Sequence, residues 1–533
     1  MKKVLTFTVL FVILNITMIK AQDGIVYNET APESELHAAI NPTDTLNMVV
    51  AAINNFANDG SLSVYYTLDF GNTWQQSSFH GVPPANYEGA GDPVLKFDDK
   101  GTVYLTNLSS DVSGSGEPAI HTIMSYSTDK GITWQSLTAN NATTNDKPWL
   151  AVDKNPVSPH YGKKYNVTII GNVDAKITTF DNTNTIIVNS VSVFSGVSVH
   201  IPNIECANNG NVFVSAYDTN NDKILIAKST DGGQSFGTHT TIASVSLIPN
   251  DDNIIGIPDR LQLSPSIAID NSGGANDGRI YMTYTDREAG SAGGSNTKLD
   301  TYLTWSDDDG QSWTTAKILN AGAAANTQQY YSNIFVNNQG EVLFGWYDRR
   351  DDTNHKNTDY YIGISKDGGT TITELKVTSA SSDFSLIGSQ NGNFGIGEYC
   401  QIVATENTAI PFWSDGRTNN GDINIYFAKI DINNPSTGIQ EISSISDKIS
   451  IGTVYPNPAI NNAEIKINLK EKTNLHYKII DITGKEVNSS AKISFPAGKS
   501  RIELVLNTLQ TGIYFLKITS GKGFIKTIKI MKK

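Results

Sequence analysis

One eight-residue pattern recurs five times along the chain and limits the folds open to it. Each copy has Ser or Thr, Asp, Gly and a second Ser or Thr at alternate positions, and it ends in an aromatic residue or, once, isoleucine. The copies occupy residues 67–74, 127–134, 229–236, 306–313 and 365–372. Repeats of this kind indicate an array of similar supersecondary units rather than one irregular core.

The chemistry of the pattern is that of a tight turn between two β-strands. A carboxylate accepts hydrogen bonds from backbone N–H groups across a turn, and glycine takes the positive φ that other residues avoid. The aromatic side chain is expected to pack between neighbouring sheets. We therefore predict a structural role rather than a catalytic one for the five turn carboxylates, Asp69, Asp129, Asp231, Asp308 and Asp367.

Each repeated turn closes a longer unit that opens with an apolar strand. There are seven such openings, at residues 36–40, 93–97, 148–152, 202–206, 265–269, 332–336 and 398–403, although the third and seventh units lack the turn pattern. Short Val/Ile/Tyr/Phe/Thr runs between turn residues are typical of all-β chains, and four-stranded units arranged radially make a β-propeller. We predict seven blades, or six if the third unit is an insertion.

The first residues indicate export. Lys2 and Lys3 precede the apolar run 4–19, and Ala21 follows it, which is typical of a secretory signal peptide over residues 1–22. No other stretch approaches the ~20 apolar residues of a membrane span, so no transmembrane segment is expected in the mature chain. With only Cys206 and Cys400 available, disulfides are not expected to hold the fold together.

The charge of the chain is distributed unevenly. Residues 23–450 carry 23 basic and 48 acidic side chains, a net charge of −25, whereas residues 451–533 carry 14 basic and 5 acidic ones. An acidic surface repels phosphate backbones and anionic lipids, so nucleic acid is not an expected partner. The reversal of charge after residue 450 predicts a separate domain there.

The five turns resemble the Asp-boxes of the BNR/sialidase-like propeller superfamily, and the resemblance covers residues 23–433. Residues 434–450 are a Ser/Ile-rich linker. Residues 451–533 are expected to form a small β-sandwich, because five runs with period-2 alternation fill them. This tail resembles the type A C-terminal sorting domain of the type IX secretion system, through the Tyr455–Pro458 opening, the Thr511–Tyr514 segment and the basic last residues. The resemblance implies a secretion machinery as partner and a secreted or cell-surface location.

Strand direction predicts where a site would lie. In an antiparallel four-stranded blade, the entry to strand one and the loop between strands two and three lie on the face opposite the repeated turns. Five of the seven arginines map to this face: Arg260, Arg287, Arg349, Arg350 and Arg417. Arginine forks bind carboxylates bidentately, so an acidic glycan is the expected ligand. The predicted substrate-binding residues are Arg260, Arg287, Arg349, Arg417 and the nearby Trp413.

The resemblance to sialidases implies a Tyr nucleophile and an acidic acid/base residue, an exception to the two-carboxylate scheme. The candidates at strand entries of this face are Tyr399, Glu398 and Asp92. Sialidases also carry an early Arg-Ile-Pro segment that this chain lacks. Three functions therefore stay open: an exo-acting glycoside hydrolase, a non-catalytic glycan- or protein-binding propeller, and a polysaccharide lyase using His200 or His80 with a tyrosine.

No cofactor or metal is expected from the sequence. No nucleotide-binding loop or Cys/His cluster appears. The segment 270–278 resembles a calcium loop but lacks its terminal Glu, so a plain turn is predicted and a structural calcium ion stays an unsupported alternative.

Overall fold

A computed structural model gives the structure of the chain. It describes residues 23–533 with the exception of 30, 55–60, 80–86, 112–118, 141–144, 172, 248–260, 289–296, 322–326, 353, 388–395, 419, 436–448, 471, 482–485, 490–492 and 521–524. The predicted signal peptide and Arg260 lie outside the described residues. The chain divides into two compact units, one ending at Ile439 and one spanning Gln440–Lys533.

The first unit is built from β-strands, and its one described helix is a 3₁₀ turn at Phe384–Leu386. No helix among the described residues is long and apolar enough to cross a membrane. The strands are β1 (Gly24–Ile25), β2 (Glu33–Ile40), β3 (Met48–Asn54), β4 (Ser61–Thr67), β5 (Gln75–Gln76), β6 (Tyr87–Phe97), β7 (Val103–Asp111), β8 (Ala119–Ser127), β9 (Gln135–Asn140), β10 (Asn145–Val152), β11 (Lys164–Ile170), β12 (Asp174–Phe180), β13 (Ile186–Ser192), β14 (Val199–Cys206), β15 (Val212–Asp218), β16 (Lys223–Ser229), β17 (Thr240–Ser244), β18 (Ser266–Ile269), β19 (Ile280–Arg287), β20 (Leu299–Ser306), β21 (Lys317–Ile318), β22 (Gln329–Val336), β23 (Val342–Asp348), β24 (Asn357–Ser365), β25 (Thr373–Lys376), β26 (Ser382–Asp383), β27 (Gln401–Ala404), β28 (Thr408–Asp415), β29 (Asn424–Phe427) and β30 (Ile430–Asp431).

These strands form seven antiparallel sheets among the described residues, numbered here one to seven from β2–β5 onward. The first strand of each sheet contacts the first strand of the next, and β27 of sheet seven contacts β2 of sheet one. The sheets therefore close into a ring with their first strands innermost, which is the arrangement of a β-propeller. All seven apolar openings predicted from the sequence are innermost strands or their entries.

The seventh sheet is completed by the amino-terminal strand. Its order is β1-β29-β28-β27, with Gly24 paired to Phe427 and Ile25 to Tyr426. Val26 continues this strand by donating its N–H to Ile425 O at 2.8 Å, and its side chain is buried between sheets seven and one. The last sheet lacks a repeated turn because its outer strand comes from the other end of the unit.

The five repeated turns have the geometry that the pattern predicts. In each, the Asp carboxylate accepts the backbone N–H of the second Ser or Thr at 2.8–3.0 Å, and the Gly has a φ of 75–87°. Trp74 packs edge-on against Phe412 and Phe427 of the neighbouring sheet. Sheet three has a related turn that the pattern missed, in which Asp181 accepts the N–H groups of Thr183 and Thr185 and Asn184 takes the positive φ.

The second unit contains two antiparallel sheets among its described residues. Buried side chains of both sheets, such as Ile465 and Leu516, share one apolar cluster, so this unit has its own core. Its strands are β31 (Ile449–Tyr455), β32 (Asn462–Leu469), β33 (Thr473–Asp481), β34 (Glu486–Ser489), β35 (Ile493–Phe495), β36 (Gly498–Val505), β37 (Gly512–Ser520) and β38 (Ile525–Lys532).

Candidate functional site

The entries of the seven innermost strands share an unusual backbone conformation. One residue at each entry has a positive φ of 44–80°, and in five of the sheets the strand register shifts there. The seven residues are Glu35, Asp92, Lys147, Ile201, Ser264, Tyr331 and Gly397. Positive φ is costly for every residue but glycine, and such strain tends to cluster at functional sites. This ring of seven entry residues indicates a functional site at one end of the central channel.

Four of the innermost strands meet in a buried ion cluster at this ring. The Lys147 ammonium lies 2.5 Å from Glu398 Oε2, 3.4 Å from Asp92 Oδ1 and 3.6 Å from Glu35 Oε1. None of the four side chains is more than 8% exposed. A Cβ on Gly397 would lie 2.2 Å from the backbone nitrogen of Glu35, so glycine is required where sheets seven and one meet. The cluster therefore joins sheets one, two, three and seven at the axis.

Burial and charge shift the pKa values of Glu35 and Asp92 in opposite directions. Burial raises the pKa of Glu35 well above its usual range, and the neighbouring Asp92 and Glu398 add to the rise against the attraction of Lys147. Burial also pushes the pKa of Asp92 upward, but Lys147 and a hydrogen bond from Glu35 outweigh it and hold that pKa below its ordinary value. Burial alone would lower the pKa of Lys147, and the carboxylates raise it well above its usual range instead. The cluster therefore favours the charged forms of Lys147 and Asp92 and the protonated form of Glu35.

A narrow cavity lies against this cluster and is lined by the innermost strands of five sheets. The space not filled by atoms is about 530 Å³ when the open solvent at its mouth is included. Lys147 and Glu398 line it, whereas Glu35 and Asp92 stand behind them. The other lining residues are Pro148, Trp149, Ile201, Pro202, Asn203, Gln262, Ser264, Pro265, Ser266, Ser332, Asn333, Tyr399, Cys400 and Gln401.

One wall of the cavity is aromatic and the others are polar. The half-buried Trp149 ring meets the Tyr399 ring edge-on at 5.6 Å, and the Lys147 ammonium lies 5.8 Å from the centre of the Tyr399 ring. Four buried polar atoms of the lining have no hydrogen-bond partner among the described residues: Asn203 Oδ1, Ser332 Oγ, Asn333 Oδ1 and Tyr399 Oη. Each such atom costs about 1–3 kcal/mol unless a water molecule or a ligand satisfies it.

The three residues predicted to be catalytic lie together, but not in the arrangement of a nucleophile and its base. Tyr399 and Glu398 line the cavity, and Asp92 lies behind them. Burial and the nearby carboxylates raise the pKa of Tyr399 well above its usual range, and no described carboxylate accepts its hydroxyl proton. The geometry keeps this hydroxyl protonated. At the rim, next to the cavity residues Lys147 and Ile201, His200 Nε2 lies 3.0 Å from Asp146 Oδ2.

Two of the described arginines of this face, Arg350 and Arg417, form ion pairs away from the cavity. Sheets six and seven carry the same motif, Trp-x-Asp-x-Arg, at residues 346–350 and 413–417. In sheet seven, Arg417 Nε and Nη2 donate to Asp415 at 2.9 and 2.7 Å, and its guanidinium stacks 4.1 Å from the centre of the Tyr426 ring. Trp413 is 1% exposed and donates its indole N–H to Asp415, so it belongs to the core.

The other described arginines also have partners outside the cavity. Arg350 repeats the arrangement of Arg417 with Asp348 and Tyr361. Arg349 is 3% exposed and donates to Thr358 Oγ1 and Gln328 Oε1, and Arg287 donates to Ser246 O at 2.6 Å. No described arginine is among the lining residues, so the structure does not bring them to one point.

Sequence reasoning missed Glu35 and Trp149 and did not predict Lys147 as a site residue. Aligning the seven apolar openings would have placed Glu35, Asp92 and Lys147 at equivalent positions, because they lie 55–57 residues apart. No such signal exists for the meeting of Glu398 with Lys147, which depends on ring closure. Among the described residues no group of three His, Cys, Asp or Glu side chains is arranged to hold a metal ion, and Cys206 and Cys400 are both free and buried.

Comparison with known proteins assigns both parts of the chain. Residues 62–344, more than half of the chain, match the model of the BNR repeat-like domain, and residues 453–533 match that of the secretion system C-terminal sorting domain. No curated protein sequence matches the chain.

Three solved structures illustrate what the chain resembles. A Dyadobacter fermentans protein of unknown function is 15% identical, with a TM-score of 0.43, and the match covers 77% of this chain and 98% of that one. An α-L-arabinanase of Penicillium chrysogenum in complex with arabinobiose is 12% identical, with a TM-score of 0.42 and the same coverage. A Hadza microbial sialidase is 14% identical, with a TM-score of 0.39, over 75% of this chain and 66% of that one.

Proposed function

Because this chain belongs to the family of BNR repeat-like domain proteins, we propose that it is a secreted, seven-bladed propeller that binds glycans at the mouth of its central cavity. Seven sheets in one ring support seven blades rather than six. The sorting domain, residues 453–533, is the part expected to engage the secretion machinery and to direct the protein to the cell surface or the medium.

The composition of the cavity wall carries this proposal. Ligand sites combine apolar and aromatic walls with a few placed polar groups. Here Trp149 and Tyr399 offer ring surfaces, and Asn203, Ser332, Asn333 and the Tyr399 hydroxyl offer unused hydrogen-bonding atoms. A sugar presents C–H faces for the rings and hydroxyl groups for the polar atoms. Water molecules would fill those positions when no ligand is bound.

Charge favours a neutral glycan over an acidic one at this mouth. The acidic ligand was expected from the arginines, and those described are paired outside the cavity. The cluster that backs the cavity holds three carboxyl groups against one ammonium. An anionic sugar would therefore enter a site of its own sign, with no fork from a described arginine to receive its carboxylate.

Binding is favoured over hydrolysis because no base among the described residues lies within hydrogen-bond reach of the Tyr399 hydroxyl. A tyrosine nucleophile needs a group that takes its proton within hydrogen-bond reach. Hydrolysis is the second candidate, because Glu398 places a carboxyl group in the cavity wall beside Tyr399.

The test is a binding screen of the mature chain against neutral and acidic oligosaccharides, with Trp149→Ala compared with Trp313→Ala. Trp313 is a tryptophan of similar exposure on the opposite face, in the fourth repeated turn. We expect a ligand whose affinity falls about 10-fold or more in Trp149→Ala only. New reducing ends would establish hydrolysis, and unsaturated products would establish a lyase. Equal affinity in both variants would place the site elsewhere.

A further inference from the structure

The matched motifs of sheets six and seven differ in the origin of their second carboxylate. Arg350 reaches Glu374 at 2.7 Å, and Glu374 lies on β25, the outer strand that the chain itself supplies to sheet six. Arg417 reaches Asp23 instead, next to β1, the outer strand that the amino terminus supplies to sheet seven. In sheet six the second carboxylate thus comes from the next strand along the chain. In sheet seven it comes from a segment at the opposite end of the unit.

The place that Asp23 occupies is built as a carboxylate receptor. Ser379 donates its backbone N–H to Asp23 Oδ2 at 2.9 Å and its hydroxyl to Oδ1 at 2.6 Å, and Arg417 Nη2 donates to Oδ2. The guanidinium is oriented without Asp23, because Asp415 holds it on one side and Tyr426 lies beneath it. The Asp23 side chain is only 3% exposed.

The backbone beside this receptor recognises an extended chain. Gly24 and Ile25 pair with the edge of β29, and Val26 donates its N–H to Ile425 O while burying its side chain. A ligand for the whole surface therefore presents a carboxylate, then a short strand, then an apolar side chain. Strand addition to a sheet edge, with pockets for particular side chains, is a common mode of peptide recognition.

We propose that Arg417, Ser379 and the edge of β29 form a receptor for an acidic extended peptide, and that residues 23–26 are its resident ligand, supplied in cis. The site is separate from the central cavity, and it gives Arg417 an anion-binding role that is satisfied within the molecule. Removing the Asp23 carboxylate leaves the receptor vacant and able to take a carboxylate from solution.

The test uses the mature chain with Asp23→Ala. We expect its melting temperature to fall and to recover by at least half in acetate or formate, relative to chloride at equal ionic strength, with no such gain in the wild type. A labelled peptide of residues 23–29 should bind a chain that lacks residues 23–29, because the edge of β29 is then open, and the peptide with Asn in place of Asp should bind it about 10-fold more weakly. The double variant Asp23→Ala, Arg417→Lys should lose most of the acetate effect, since lysine cannot fork onto a carboxylate.

Three outcomes would overturn the receptor: no recovery in carboxylate salts, equal recovery in the wild type, or equal binding of the Asp and Asn peptides. Asp23→Ser serves with the same measurements if the alanine variant aggregates. Glycan binding by Trp149→Ala reports on the cavity alone, so failure of either proposal leaves the other intact.

Discussion

The Lys147 ammonium lies 2.5 Å from the Glu398 carboxylate, although the two residues belong to sheets three and seven, which are not neighbours in the ring. Their contact spans the central channel. With Glu35 and Asp92 added, one ammonium group contacts carboxyl groups from three other sheets. The inner end of the propeller thus depends on a single buried lysine.

Replacing Lys147 with Met should destabilise the propeller by about 3–5 kcal/mol at pH 7.5, because removing one partner leaves the others buried and uncompensated. The loss should shrink as the pH falls toward 5, since the carboxyl groups can then bind protons. Thermal and urea unfolding at both pH values measures this. The control is Lys130→Met, whose exposed pair with Asp44 should be worth less than about 1 kcal/mol. Equal losses in the two variants would contradict a structural role for the cluster.

Glu33, a buried carboxyl group outside this cluster, should make the stability of the protein depend on pH near neutrality. Glu33 is fully buried and accepts a hydrogen bond from Tyr65 at 2.7 Å, and burial raises its pKa from 4.5 to about 7. The folded state therefore favours the protonated form, and its stability falls as the pH rises from about 4.5 through 7. Glu33→Gln should remove this loss, which is roughly 3 kcal/mol for such a shift.

The measurement is the melting temperature of the wild type and of Glu33→Gln between pH 4.5 and 8. The difference should grow in favour of the variant with rising pH and level off above about pH 8. Parallel curves would show that Glu33 does not titrate in this range.

The repeated turns should contribute to stability and not to ligand binding. Asp308 accepts the Ser312 N–H at 2.8 Å and the Ser312 hydroxyl. Asp308→Ala should lower the melting temperature only slightly, because this turn is solvent-accessible and water replaces part of the lost bonding. Asp308→Asn keeps one acceptor and should cost less. Unfolding and cavity binding measured on both variants test this, and a selective loss of binding would refute the structural assignment.

The sequence predicted the parts of this fold that local chemistry encodes. Turn geometry needs Asp and Gly at fixed spacing, so the five turns could be read directly. The turn at Asp181 was missed because Thr183 stands at the glycine position of the pattern. Asn184, one residue later, takes the positive φ, which asparagine can do at little cost. The partners of Arg417 could not be predicted from the sequence. Asp415 and Asp23 are 392 positions apart in the chain, and both contact the Arg417 guanidinium only when the ring closes.

The arginine-rich face should behave as scaffold. Arg350→Ala and Arg417→Ala should each lower the melting temperature, because each leaves two carboxylates without their partner. Lysine should restore only part of the loss, since it cannot donate in parallel to a carboxylate. Glycan affinity measured on the same proteins should stay unchanged. A variant that melts normally but binds the glycan more weakly would show that its arginine contacts the ligand.

The two units should fold separately. The second unit has its own apolar cluster, which includes Ile465 and Leu516, and its charge is opposite in sign to that of the first. A protein ending near residue 440 should therefore melt at the temperature at which the first unit melts in the full chain. Calorimetry of both proteins checks this, and recovery of the shorter one only as aggregate would contradict the boundary.

The strand that completes the seventh sheet also sets the order of events in folding. Gly24 can pair with Phe427 only after the whole first unit has been synthesised, so β1 cannot find its partner strand β29 until then. Open repeat arrays can nucleate anywhere and fray from their ends, whereas a closed ring has no end from which to fray. Closing a loop of this length is slow but adds little entropic cost beyond that of a shorter one, since the cost grows only with the logarithm of length. The propeller should therefore form late, as one cooperative body, and once closed it should resist local opening at every blade alike.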